Sequence, residues 1–349
     1  MTDDRPVVVA DNRNWRPLVT EYQHPSLGRA LLQLATTMLP LAVLFAAMYR
    51  LLAFSFWWTI PLALPAAALL VRSFVLMHDC AHGSFFTSRR ANRVVGAVTG
   101  LLTLIPFEHW RHEHALHHAS AGDLDRRGHG DVETLTVREY LARSRWGRLR
   151  YRIVRHPLVY LLLGPFFFVL DKRVPPRGPS AGRRQVASVW LNNAAIVIAG
   201  GGLLALFGTR VLLIYFPAYY IAIVAGIWLF FVQHQFEGTY WEQHQEWDYA
   251  DAAIAGSSYF QLPAVLQWFT GSIGFHHVHH LGPKIPNYNL QRCHEENPIF
   301  HRATVVTLRR SISALRLALW DEDAGRLVRF DRAPAVPDER RAGQLESAN

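Results

Sequence analysis

Three clusters of histidine hold the chemistry this chain could perform: His78 and His82 in HDCAH, His114, His117 and His118 in HALHH, and His276, His279 and His280 in HHVHH. On a helix, residues three or four apart share a face, so each cluster is expected to aim at one point and three clusters can enclose metal. A single zinc takes about three or four ligands. Eight histidines are about twice that number, and imidazole suits iron as well as zinc, so the spacing predicts two metals and, beside long apolar segments, a membrane-embedded iron site. Solvated or merely packed histidines are a poor alternative. Unpartnered imidazoles at a bilayer are costly to bury, and one spacing would not recur three times by chance.

The elements that must position these clusters are apolar and of membrane length. Half of the 349 residues are hydrophobic and 18% are charged. Residues 31–49, 57–76, 187–207 and 211–233 are nearly free of charge, and about 20 apolar residues at 1.5 Å each cross a hydrocarbon core of about 30 Å. Pro40, Pro61, Pro65 and Pro217 fall inside these blocks, which membrane bundles tolerate. Four spans in two hairpins are therefore predicted. The first cluster follows span two, the second precedes span three and the third follows span four, so all three reach one side. The apolar blocks at 91–107 and 158–170 would break that parity if either crossed, and both are placed on or partly in the interface. The loop from 83 to 186 is rich in arginine, while the hairpin turns offer Arg50 and Arg210. By the positive-inside rule the clusters and both termini face the cytoplasm.

Composition bounds the rest. The net charge of +9 comes almost entirely from arginine, with Lys172 and Lys284 the only lysines, and suits anionic headgroups and an acidic partner. No stacking motif or nucleic-acid fold signature accompanies it, so nucleic-acid binding is excluded. Cys80 and Cys293 lie on the reducing side; no disulfide is expected, and Cys80 reads as a small packing residue. The organisation expected is a polar segment over 1–30, a membrane domain over 31–300 and a tail over 333–349 that reads as disordered. Between them, 301–332 reads as an amphipathic membrane-surface helix, with Val305, Val306, Leu308, Ile312, Leu315 and Leu317 as its apolar face. The N-terminus lacks a signal-peptide core, and no fused haem or iron–sulfur module is present.

The motifs HDCAHGSFF (78–86), GDLDRRGHGDVETLTVREY (122–140) and HHVHHLGPKIPNYNL (276–290), in this order, resemble the membrane fatty acid desaturase family, specifically its bacterial and plastid-type omega-6 or delta-12 branch that acts on acyl lipids. The resemblance covers about residues 70 to 300. It implies an all-α integral membrane protein of the bacterial inner membrane, with four transmembrane helices and a cytoplasmic helical cap holding a histidine-rich di-iron site. It further implies that His78, His82, His114, His117, His118, His276, His279 and His280 are catalytic iron ligands, with His234 of QHQFEGTYWE as a ninth. The implied reaction introduces a cis double bond into an acyl chain with O2 and two electrons, supplied by an external ferredoxin-like donor and its reductase. One departure is visible: the acyl-CoA branch has an Asn four residues before the ninth histidine, holding a water on iron, where this chain has Phe230.

Around the ligands, Asp79, Glu108, Glu113, Asp123, Asp125, Asp131 and Glu237 could receive imidazole N–H groups. Asp79 and Glu237 are favoured because each adjoins a ligand near a span end; Asn289 of PNYNL matches a family position near the site. His109, His112 and His277 neighbour the clusters but fall off the pattern, and His129 reads as a loop former. His24, His156, His244, His294 and His301 read as surface residues. Trp58, Trp110, Trp190, Trp228, Trp241 and Trp268 suit either a membrane belt or an acyl tunnel. Two rival functions fit parts of the same pattern. A hydroxylase or ketolase of alkyl chains or carotenoids could use the same scaffold, but the 122–140 stretch favours desaturation. A membrane metal carrier or sensor would need ionisable residues along the spans, and the spans read as lacking them.

Overall fold

The computed structural model describes residues 15–128, 130–177 and 181–332. The tail over 333–349, His129 and the first fourteen residues of the polar N-terminal segment lie outside the described residues. Among the described residues, four helices are long and apolar enough to cross a bilayer: Leu27–Leu51, Phe56–His82, Arg183–Phe207 and Arg210–His234, hereafter the first to fourth spans. The protein is a membrane protein built from helices, with two small sheets at one end. The second span is the centre of the bundle: 61% of its apolar window is buried, against 6–22% for the other three. Pro40, Pro65 and Pro217 lie within helices, whereas Pro61 occupies a first turn, where a missing N–H costs nothing.

Span length explains where the ligand-bearing residues end up. At 1.5 Å per residue, helices of 25 to 27 residues reach about 40 Å, roughly 10 Å more than the hydrocarbon core. The second and fourth spans carry His78, His82 and His234 on that excess, in their last turns. Gly83, in the left-handed conformation at φ 70°, then stops the second span one residue after His82.

The block at 91–107 goes deeper than an interfacial helix. Helix Arg89–Leu102 descends beside the second span, turns over Thr103–Pro106, and helix Phe107–Ser120 climbs back to carry the second histidine cluster. The turn sits at mid-depth of the fourth span, where Tyr215 and Tyr219 donate to the carbonyls of Leu102 (2.8 Å) and Thr103 (2.9 Å). Arg173 donates to the Leu104 carbonyl and Asn192 to that of Ile105 (3.4 Å). Irregular backbone at this depth survives only where its polar groups are satisfied, and these four side chains satisfy them. The block at 158–170 does stay short. It breaks into helices Pro157–Leu162 and Gly164–Asp171, whose Leu158, Leu162, Phe166, Phe167 and Leu170 are exposed apolar groups.

The 302–320 segment is not a membrane-surface helix. Its β-branched residues take extended backbone: strand β3 (Val305–Thr307) pairs in parallel with β2 (Tyr259–Gln261). Thr307 then caps a helix of only seven residues, Leu308–Ala314. Strand β4 (Leu319–Asp321) lies between β1 (Leu135–Thr136) and β5 (Arg326–Val328). Val306, Leu315 and Leu317, read as a membrane face, are buried in the cap.

The second span is also less free of charge than its composition suggested. Arg72 is buried within it, donating to Thr37 Oγ1 (3.1 Å) and to the Trp268 carbonyl, with its guanidinium 4.0 Å from the Trp268 ring. It ties the segment leading into the third histidine cluster to the first two spans, so its role is an anchor rather than part of an ion path. Cys80 and Cys293 are both free and buried, as packing residues should be.

A Cβ on Gly100 would lie 2.7 Å from the Ile105 carbonyl oxygen. Gly100→Ala should therefore lower stability by about 1–3 kcal/mol, read as a lower thermal midpoint in lipid nanodiscs. An unchanged midpoint would mean that the turn relaxes freely.

Candidate metal centre

All nine histidines singled out above converge, in two adjoining groups. His78, His82, His114, His118 and His279 form one; His117, His234, His276 and His280 form the other, with the ligand atoms of each group within 4.8 Å of one another. The expectation that each cluster aims at one point is corrected here. His114 and His118, four apart, enter the first group and His117 the second; His276 and His280 enter the second and His279 the first. The cause is helical geometry. At about 100° per residue, the fourth residue of such a motif points about 100° away from the fifth, so an HxxHH helix between two sites serves both. The two motifs exchange ligands reciprocally.

The nitrogen separations suit a cation. His117, His234, His276 and His280 run Nε2 to Nε2 at 3.1, 2.9 and 3.1 Å, and His114, His118 and His279 at 3.1 Å each. Imidazole bonds of about 2.1 Å set at right angles around one ion would place neighbouring nitrogens about 3.0 Å apart. The Nε2 atoms of His78 and His82 are buried without a hydrogen-bond partner, as atoms reserved for metal would be. Burial, reinforced by neighbouring imidazoles, holds His114, His118, His276, His279 and His280 well below the usual imidazole range. These rings are neutral and their lone pairs available. The residues present fit metal.

The surrounding groups orient the rings. Asp131 Oδ1 lies 2.6 Å from His117 Nδ1, the usual outer partner of a metal-bound imidazole. Asp79 Oδ1 lies 3.3 Å from His78 Nδ1 while its Oδ2 accepts the Asn287 backbone N–H at 2.7 Å, joining the first cluster to the chain just after the third. Tyr249 donates to the His280 carbonyl at 2.6 Å. Glu237, favoured from its sequence position, is exposed and takes no such part. The chain leaves the fourth span just before it, and Gln235 adopts a non-helical conformation that sends the carboxylate outward. Asn289 is likewise displaced. It accepts from Arg29 (2.8 Å) and donates to the Tyr22 carbonyl (2.9 Å), fastening the N-terminal segment instead. Asp131 had no signal to raise it above the other six acids, since its approach to His117 depends on the loop's path.

The remaining histidines among the described residues stand clear of both groups. His109 pairs with Glu113 at 3.5 Å, and His277 with His294 at 2.9 Å; burial holds His277 near 3. His24, His156, His244 and His301 are exposed. Phe230 packs its ring on His117 and His234, with centroids 5.3 and 5.2 Å away, so an apolar wall occupies the position noted as a departure.

A cavity of ≈430 Å³ meets the histidines at His78, His114, His117 and His276 and descends between the second and fourth spans. Its walls are apolar over most of their area, a composition that suits hydrocarbon. Trp110 lines it and stacks on His114 at 4.4 Å; of the tryptophans considered, it is the one in the wall. Trp58 and Trp190 are exposed, as belt residues are. The cavity's polar edge is Glu113, Asp171 and Lys172, with the lysine 2.7 and 2.8 Å from the two carboxylates.

The family model for fatty acid desaturases matches residues 55–307. A protein of Bacillus subtilis (strain 168) named fatty acid desaturase is 41% identical over 321 residues, 91% of each chain. Two proteins named sn-1 acyl-lipid omega-3 desaturase (ferredoxin) are also similar. That of Nostoc sp. is 28% identical, covering 64% of this chain and 62% of its own; that of Synechocystis sp. is 27% identical, covering 72% and 71%.

Replacing Asp131 with Asn should weaken metal retention about 10–100-fold, and Asp79→Asn should act in the same direction, whereas Glu237→Gln should leave it unchanged. Elemental analysis after dialysis against graded chelator separates these. Equal retention in Asp131→Asn and wild type would deny the carboxylate its orienting part.

Proposed function

Because the chain belongs to the fatty acid desaturase family, we propose that its nine converging histidines hold two irons, and that the cavity beneath them receives the acyl chain. The protein is an oxidoreductase that desaturates acyl lipids. The observation that carries the assignment of parts is the meeting of both histidine groups with one apolar cavity running into the bilayer. In this reading His78, His82, His114, His118 and His279 ligate one iron, and His117, His234, His276 and His280 the other.

Removing hydrogen from an unactivated alkyl carbon exceeds what a side-chain acid or base can do, and the irons with O2 supply the oxidant. The overall change removes one hydrogen from each of two neighbouring carbons, forms a cis double bond between them, and reduces O2 to two waters with two further electrons and two protons. The chain's own residues do the rest. Cavity walls hold the alkyl chain extended beside the ligands. Trp110 and Phe230 pack against His114, His117 and His234 and keep water from the reacting carbons. Asp131 and Asp79 fix ring orientation.

The electrons come, in this proposal, from a ferredoxin-like protein and its reductase. Two relatives carry ferredoxin in their names, and a net charge of +9 would steer an acidic donor. The arginine-rich loop between the second and third spans supports placing the histidines on the cytoplasmic face of a bacterial inner membrane.

Expression in a bacterial host with a ferredoxin and its reductase should yield an unsaturated acyl species, located by mass spectrometry, that is absent with His117→Ala. That variant should still fractionate with membranes, since insertion depends on the spans. A full yield from His117→Ala would remove this histidine from the ligand set; no new species from the wild type, with two irons bound, would count against the acyl assignment.

A further inference from the structure

Helix Arg145–Val154, which joins the cap to the short helices beside the fourth span, points most of its apolar residues away from the core. Its buried residue is Tyr151, whose hydroxyl ties the helix to the cap by donating to the Ala318 carbonyl (2.6 Å) and accepting the Leu135 N–H (3.0 Å). At about 100° per residue, Trp146, Leu149 and Ile153 lie within about 60° of one another on the side opposite Tyr151. All three are exposed, Trp146 by 79%. Exposed arginines border this ridge on both flanks, Arg145 and Arg152 on one and Arg150 on the other. Each lies about 40–60° around the helix from its nearest apolar neighbour. No aspartate or glutamate occurs between Tyr140 and Leu170, and Arg152 donates only to the neutral Tyr140 hydroxyl, at 2.6 Å.

The helix leads directly into lipid-facing structure. Arg155, at its end, stacks on Phe231 (5.3 Å) and donates to Gln235 (3.1 Å), level with the last turn of the fourth span. Two residues later Pro157 opens the helix whose Tyr160 also packs on Phe231 (5.3 Å) and whose Leu158 and Leu162 are exposed. From this arrangement we propose that helix Arg145–Val154 is a docking face for the anionic surface of the bilayer that holds the protein. Trp146, Leu149 and Ile153 enter the boundary between headgroups and acyl chains, and Arg145, Arg150 and Arg152 meet lipid phosphates. Water would leave a contiguous apolar ridge uncovered. An acidic protein would satisfy the arginines, but the ridge between them continues through Val154 into residues that face hydrocarbon. An anionic bilayer satisfies both.

The test uses the full-length protein in nanodiscs with an environment-sensitive fluorophore on Leu149→Cys; Cys80 and Cys293 are buried and leave the new thiol as the reactive one. Discs of phosphatidylcholine alone are compared with discs that also contain phosphatidylglycerol. Phosphatidylglycerol should bring the label within reach of nitroxide-bearing acyl chains and shield it from acrylamide in water. Arg150→Gln should lower the ratio of docked to free label in the anionic discs about fivefold, and raised salt should act in the same direction. A label open to acrylamide in both kinds of disc would overturn the docking. One held equally deep in both, with Arg150→Gln and salt without effect, would overturn the part given to anionic lipid and with it the proposal. Shielding that arises only on adding an acidic ferredoxin would overturn it too, by giving the face to a protein.

Discussion

Nine imidazoles, seven of them buried and two half-buried, within a few ångströms of one another are stable only around positive charge, and the rest of the molecule follows from satisfying that demand. The rings cannot scatter to water, because His78, His82 and His234 are fixed in the last turns of two packed spans. Nor can one ion collect them all. Two of the three motifs therefore divide their members between two neighbouring groups, with each helix giving a one-turn pair to one side and a single ring to the other. Such mutual sharing fixes the relative rotation of helices Phe107–Ser120 and His276–Leu281 more tightly than packing alone would.

The bilayer imposes the second constraint. A reaction on alkyl carbons needs a dry channel, yet its reagents are ionic and arrive from water. The bundle reconciles these by burying most of its second span, hanging the cavity between it and the fourth, and keeping charged groups to the upper edge. Where polar backbone must go deep, at the re-entrant turn, hydroxyl and amide groups from the fourth and third spans and the Arg173 guanidinium, from the segment before the third span, meet it. Arg72 obeys the same rule, since its charge rests on an indole face and a carbonyl rather than on hydrocarbon.

Much of this could be read from residue order. The four spans and the shared side of the eight clustered histidines are local properties of periodicity and motif spacing; the ninth ring, His234, followed from the family resemblance; and all of these survive into the fold. What sequence could not supply was direction in three dimensions. His117 and His118 are adjacent letters yet belong to different groups, because their separation is an angle. Glu237 looked better placed than Asp131, but one exits the helix outward while the other, fourteen residues further along the chain, returns to reach His117. The 302–320 segment has helical periodicity in its apolar residues, and pairing partners far away in the chain, at Tyr259 and Leu135, decided otherwise. Asn289 matched a motif position, but its neighbour Asn287 makes the contact to Asp79.

The reciprocal division of ligands has a consequence for biogenesis. Neither group is complete until His276, His279 and His280 have emerged, and these follow the fourth span. During synthesis, then, the nascent chain must thread all four spans into the membrane while six of its nine imidazoles remain without their final partners. Metal acquisition is necessarily a late event, a maturation step on an already inserted protein. A quality-control system that sampled the cap before that step would meet an unfinished surface, and one that sampled it afterwards would meet the last of the three histidine motifs locked against the first two.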